Sequence, residues 1–139
     1  MGAGLYNFVI EQGATLNFEL QYKDSNGDPI DLSGYTGRME IASNYLGQSP
    51  RTVYAILNSV TGFFPTGSDL VSGSFLSFSG SNFTTPTTSG SIGVYMGYYT
   101  TDNLSFTGSA YYDLEITIDT TRTRLLQGQV QLSRQVTNS

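Results

Sequence analysis

A chain with no histidine and no cysteine must do any chemistry with carboxylates, hydroxyls, phenols and guanidinium groups. Ser-His-Asp and Cys-His nucleophile systems are excluded, and so are thiolate and imidazole metal sites. Three sets of residues remain. Asp113 and Glu115 lie two apart, on one face if the segment is a strand, as the carboxylate pair of a glycosidase could. Strands also carry acids simply to keep one face wet, and that is the reading adopted. Asp24, Asn26, Asp28 and Asp31 place oxygens at alternate positions, a pattern that suits a hard cation. Yet Pro29 falls sixth and Tyr35 twelfth, where a calcium loop needs Gly and Glu, and the same residues build hairpin turns through their own backbone. The expectation is no metal and no cofactor. Tyr95, Tyr98, Tyr99, Tyr111 and Tyr112 could stack on a sugar; alternating tyrosines also fill cores and interfaces, which is the preferred account.

The elements that must position these residues read as strands. Tyr112, Leu114, Ile116 and Ile118 alternate with Tyr111, Asp113, Glu115 and Thr117, one set inward and the other in water. Leu126, Val130 and Leu132 repeat the pattern after a polar turn, so the two segments form a hairpin with one wet face. Leu16, Phe18, Leu20 and Tyr22 alternate with Asn17, Glu19 and Gln21. Tyr35–Ala42 opposes Tyr35, Met39 and Ile41 to Thr36, Arg38 and Glu40, and Ser91–Tyr99 sets Ile92, Val94, Met96 and Tyr98 on one face. Leu5–Ile10 is a further short strand. A helical turn is expected at Thr100–Phe106, capped by Thr101 or Asp102. No segment sustains a 3.6-residue period. The pattern predicts an all-β domain spanning residues 1–139: a single antiparallel β-sandwich, Ig-like or a partly open barrel.

Residues 43–90 differ in character. Arg51 is their one basic residue and Asp69 their one acidic residue, in a Ser/Thr/Gly background. Aromatics recur at Tyr45, Tyr54, Phe63, Phe64, Phe75, Phe78 and Phe83. Rings so spaced need burial, so the segment reads as an ordered insertion, with possible short strands at Val53–Leu57 and Phe75–Phe78. Its near-absence of charge and its rings match the centre of a protein interface, and these seven aromatics are the candidate contact residues.

Charge bounds the partners. Six basic residues face eleven acidic ones, a net charge of -5, and a nucleic-acid binder needs a basic stripe to neutralise phosphates. No nucleic-acid partner is expected. No run approaches the length of a membrane span, so no membrane partner is expected, and the signal-peptide pattern is missing. A polar, weakly charged surface suits a subunit whose faces end against neighbours.

The order of several motifs carries a resemblance. "IEQGAT" at Ile10–Thr15, "YKDSNGDPIDLSGYTGRM" at Tyr22–Met39, "YDLEI" at Tyr112–Ile116, "TRLLQGQVQLS" at Thr123–Ser133 and "VTN" at Val136–Asn138 follow one another. This arrangement resembles small β-rich structural proteins of tailed-bacteriophage virions, in baseplates and tails and in the N-terminal parts of upper baseplate proteins. The likeness covers residues 1–42 and 95–139. It implies a non-catalytic virion subunit, made in the host cytoplasm, that contacts other virion proteins and copies of itself. The alternative is a carbohydrate-binding or host-receptor-binding β-sandwich module.

Overall fold

Period-two patterning becomes strand wherever one face can be buried and the other left in water. The computed structural model describes residues 4–60 and 65–134. In chain order the strands are β1 (Gly4–Leu5), β2 (Phe8–Glu11), β3 (Leu16–Gln21), β4 (Thr36–Ala42), β5 (Val53–Val60), β6 (Ser74–Ser77), β7 (Ser91–Met96), β8 (Ser109–Ile118) and β9 (Thr121–Ser133). Two one-turn helices, α1 (Ser68–Ser72) and α2 (Tyr98–Asp102), and a 3-10 turn at Thr87–Ser89 complete it. The molecule is mostly β, as the alternation predicts. It is not a pair of antiparallel sheets. All strands join one hydrogen-bonded path, β1-β9-β8-β4-β5-β6-β7-β3, with β2 also on β9. Three pairings are parallel: β1 and β2 on β9, and β5 on β6. The sheet curls into a half-barrel.

The curl follows from what must be hidden. Met39 and Ile41 of β4, Leu57 of β5, Leu76 of β6, Val94 and Met96 of β7, and Leu114 and Ile116 of β8 all point inward and are buried. Ile10 and Val130 extend this core to β2 and β9. The chain turns the corner between β2 and β3 at Gly13, where φ is 82°. There Phe8 meets Phe18 with ring centroids 5.1 Å apart, although β2 and β3 lie at different places in the sheet.

The segment read as an insertion supplies β5 and β6, two inner strands of the path. Two of its rings also take a different place from the one expected. Phe75 and Phe78 are 5% and 4% exposed, so this chain's own core holds them and no partner can reach them. β6 and β7 are buried on both faces because α1 and residues 79–90 cover their outer side, the Tyr95 hydroxyl donating to the Leu70 carbonyl. Gly93 allows this: a Cβ there would come 2.7 Å from the Gly80 carbonyl oxygen. The short strand expected at Phe75–Phe78 is β6, one residue earlier, and because it is covered on both faces it shows no alternation. Phe63 and Phe64 lie outside the described residues.

Two smaller expectations also change. The strand expected over Ser91–Tyr99 stops at Met96, and Tyr98 stands exposed at 49% in α2. The helical turn therefore starts earlier than expected, after Gly97, and has no side-chain cap. Among the described residues no helix is long and apolar enough to cross a membrane.

Candidate functional site

The outer face of β5-β4-β8-β9 gathers four of the chain's six basic residues: Arg38, Arg51, Arg122 and Arg124. Strand register sets the arrangement. One cross-strand row runs Asn58, Arg38, Glu115, Arg124. The next row on one side holds Thr36, Thr117 and Arg122, and on the other side Glu40 faces Asp113.

A bulge makes the rows possible. Leu114 pairs with Leu126, but Glu115 pairs with Arg124, so Leu125 is the extra residue. Without it, Arg124 and Leu126, two apart, would share a face. With it, Leu125 and Leu126 both pack on the core while Arg124 comes opposite Glu115.

Glu40 is the hub. Its Oε2 accepts from Arg38 Nη2 at 3.2 Å, and its Oε1 accepts from Arg51. Arg51 is itself fixed, since its Nε donates to the Asn44 carbonyl at 3.0 Å. Hydrogen bonds between Ser43 and Thr52 close that loop. Burial pushes the Glu40 carboxyl up, but the two guanidinium groups outweigh it and hold the carboxyl below its usual range.

Asp113 drifts the other way. Burial raises it first, and the neighbouring Glu115 and Glu40 add to the rise, against Arg124 and Arg51. Arg124 Nε sits 3.7 Å from Asp113 Oδ2, a loose pair. Two carboxylates directly across from each other repel, and here the guanidinium groups offset the repulsion. Carboxylates displaced in opposite directions also mark acid–base sites. In this case both Glu40 oxygens are engaged by arginine, so the pair holds the face together rather than offering a free base.

Beside the hub lies an open groove of about 560 Å³, bordered by Arg38, Glu40, Asn58, Glu115, Arg122 and the projecting Leu46. Tyr45, beside Leu46 in the chain, is 39% exposed, its ring tilted against Tyr111 with centroids 4.8 Å apart.

The candidate contact rings are scattered by the fold. Tyr45 is on this outer face. Tyr54 is half-buried and stacks on Phe106 at 4.7 Å. Phe83 is half-buried in a cluster with Phe75 and Tyr95, 5.8 Å from each. The five tyrosines considered for sugar binding are dispersed too. Tyr95 and Tyr112 are buried, their hydroxyls donating to the Leu70 and Tyr6 carbonyls, and burial holds both phenols protonated. Tyr98 and Tyr99 stand exposed on α2, and Tyr111 lies under Tyr45. They form no common platform.

Asp113 and Glu115 do share a face, opposite Gln127 and Arg124. Asp24 Oδ1 accepts from the Asn26 and Asp28 amides at 2.9 and 3.0 Å, so it shapes the turn. Among the described residues no three acidic groups are placed to hold a metal ion. Sequence reasoning missed Glu40, Arg51 and Asn58 as partners. The wet face of Thr36, Arg38 and Glu40 was legible, but its strand neighbours were not.

No protein-family model matches the chain, and no curated protein matches it. Among solved structures it is similar to part of a family 123 glycoside hydrolase from Clostridium perfringens, with a TM-score of 0.32 and 13% identity. The match covers 94% of this chain, which spans 23% of that one. A likeness of this size carries no argument about activity.

Proposed function

We propose that this chain is a non-catalytic structural subunit of a tailed-bacteriophage virion, in the baseplate or tail, working through contacts with other virion proteins and with copies of itself. The particle is the setting that the motif order implies. We take the curled sheet as a partly open barrel, flattened so that its halves pack as the layers of a sandwich do.

One observation carries the reading: an unguarded edge. Among the described residues, β1 and β2 pair with β9 alone. Leu5 and Val9 on them are 76% and 50% exposed, with Tyr6 between at 42%. From Gly4 to Ile10 there is no proline and no charged residue; Glu11, at the far end of β2, is the edge's one charge. Proteins that stay monomeric guard such edges with charge, proline or a covering loop. An edge left open and apolar suits pairing with a strand of a neighbouring chain.

The non-catalytic part rests on the carboxylates. Glu40 is engaged at both oxygens, and Asp113 and Glu115 lie among arginines. Quantitative mass spectrometry of purified particles tests the proposal. The chain should appear at a fixed ratio to the other structural proteins. Its presence only in trace amounts, removable by washing, would refute the reading.

A further inference from the structure

The groove on the outer face is not explained by the edge contacts of β1 and β2. Its walls are side chains of β4, β5, β8 and β9. β4, β5 and β8 are paired on both sides, so their backbone offers nothing to an added strand. Recognition there must use side chains alone.

The chemistry of those side chains is selective. Arg38 and Arg122 are balanced by Glu40 and Glu115, so the lining has no net charge to attract an ion of either sign. The polar groups set donors beside acceptors: Asn58, Arg38 and Glu115 follow one another across three strands. The amide, carboxylates and guanidinium groups are planar and can make paired hydrogen bonds. Thr36 and Thr117 add hydroxyls at one end. Leu46, 84% exposed, supplies an apolar edge. A volume of about 560 Å³ lies in the range of small-molecule sites.

We infer that this groove binds a neutral glycan, its vicinal hydroxyls bridging Arg38, Asn58 and Glu115 and its C–H face resting on Leu46. Vicinal hydroxyls both donate and accept, which matches donors set beside acceptors better than an anion or a cation would. A sugar ring also has one apolar face, which the exposed Leu46 would cover. This places a carbohydrate site away from the tyrosines that suggested one in the sequence. It stands apart from the assembly role, because β1 and β2 take no part in the groove.

The test is a printed array of neutral, sialylated and sulfated oligosaccharides probed with the full chain, followed by titration calorimetry with the best neutral oligosaccharide. Arg38→Ala, Asn58→Ala and Leu46→Ser are the variants, each checked for an unchanged circular dichroism spectrum. Loss of a charge-assisted hydrogen bond should weaken binding about tenfold or more for Arg38→Ala. Leu46→Ser, at a fully projecting position, keeps the fold and should also weaken binding. Silence across the array, preference for the acidic glycans, or undiminished binding by all three variants would overturn the inference. So would cross-linking of Leu46→Cys to another protein in intact particles, since a protein partner would then fill the groove.

Discussion

Gly128 faces Tyr112 across the β8–β9 ladder, and the N-terminal segment crosses directly over it. A Cβ at this position would lie 2.2 Å from the Tyr6 carbonyl oxygen and 2.8 Å from Asn7 Oδ1. Neither can give freely. The Tyr6 carbonyl accepts from the buried Tyr112 hydroxyl at 2.6 Å, and Asn7 Oδ1 accepts from the Gln129 amide at 2.8 Å. In Gly128→Ala the Tyr6 backbone must retreat by roughly 1 Å to reach ordinary contact, which strands the hydroxyl. Overpacking of this kind costs about 1–3 kcal/mol. An unsatisfied buried hydroxyl costs about 1–3 kcal/mol more. The loss of stability in urea should therefore be about 2–6 kcal/mol. It should be local first: the Tyr6 amide, which donates to the Gln127 carbonyl, and the Gln129 amide should lose hydrogen-exchange protection before the β4 and β8 amides do. A loss under about 0.5 kcal/mol with Tyr6 and Gln129 still protected would refute the claim that the N-terminal strands are seated through this glycine.

Three further outcomes follow from the packing and the charges. Phe78→Ala, beneath Gly37 in the core, should cost about 3–5 kcal/mol by thermal or chemical melting, whereas an interface ring would leave the isolated chain unaffected. Deleting residues 44–89 removes β5 and β6, and circular dichroism should show an unfolded chain; a folded product would mean that the sheet closes without them. Glu40 and Asp113 should respond to pH with opposite signs. The lowered Glu40 stabilises the fold above the ordinary glutamate range and loses that contribution as pH falls through its depressed value. The raised Asp113 favours the fold below the ordinary aspartate range and loses that contribution as pH rises through its elevated value. Glu40→Gln should thus be less stable than the parent at neutral pH and approach it in acid. Asp113→Asn should recover stability relative to the parent as pH rises, and parallel pH-melting curves for the two variants would contradict the assignment.

The hairpin of β8 and β9 was legible because each strand has one wet face, and Leu114, Ile116 and Val130 are buried as their alternation requires. β3 was legible for the same reason. β6 was legible only as a short apolar run at Phe75–Phe78; its place as an inner strand was not, because a strand covered on both sides has no wet face to reveal it. The register of β9 was hidden as well. Nothing in "RLLQ" reveals that Leu125 is a bulge, yet that residue puts Arg124 opposite Glu115. The Glu40–Asp113 pairing joins residues far apart in sequence, so no local pattern announces it. Parallel pairing of β1 and β2 on β9 was likewise invisible, since alternation says which face is wet and not which neighbour lies alongside.

The edge of β1 and β2 is where the account is most exposed. Co-expression of the parent chain and Val9→Lys during particle assembly, with isotope-labelled peptides counted by mass spectrometry, sets one against the other under identical conditions. Val9 is half exposed, so lysine there leaves the isolated fold intact while placing a charge on the edge. The account predicts particles that contain the parent at a fixed ratio and largely exclude Val9→Lys, although both chains are soluble and folded. Equal incorporation of the two, or particles that hold neither, would contradict it.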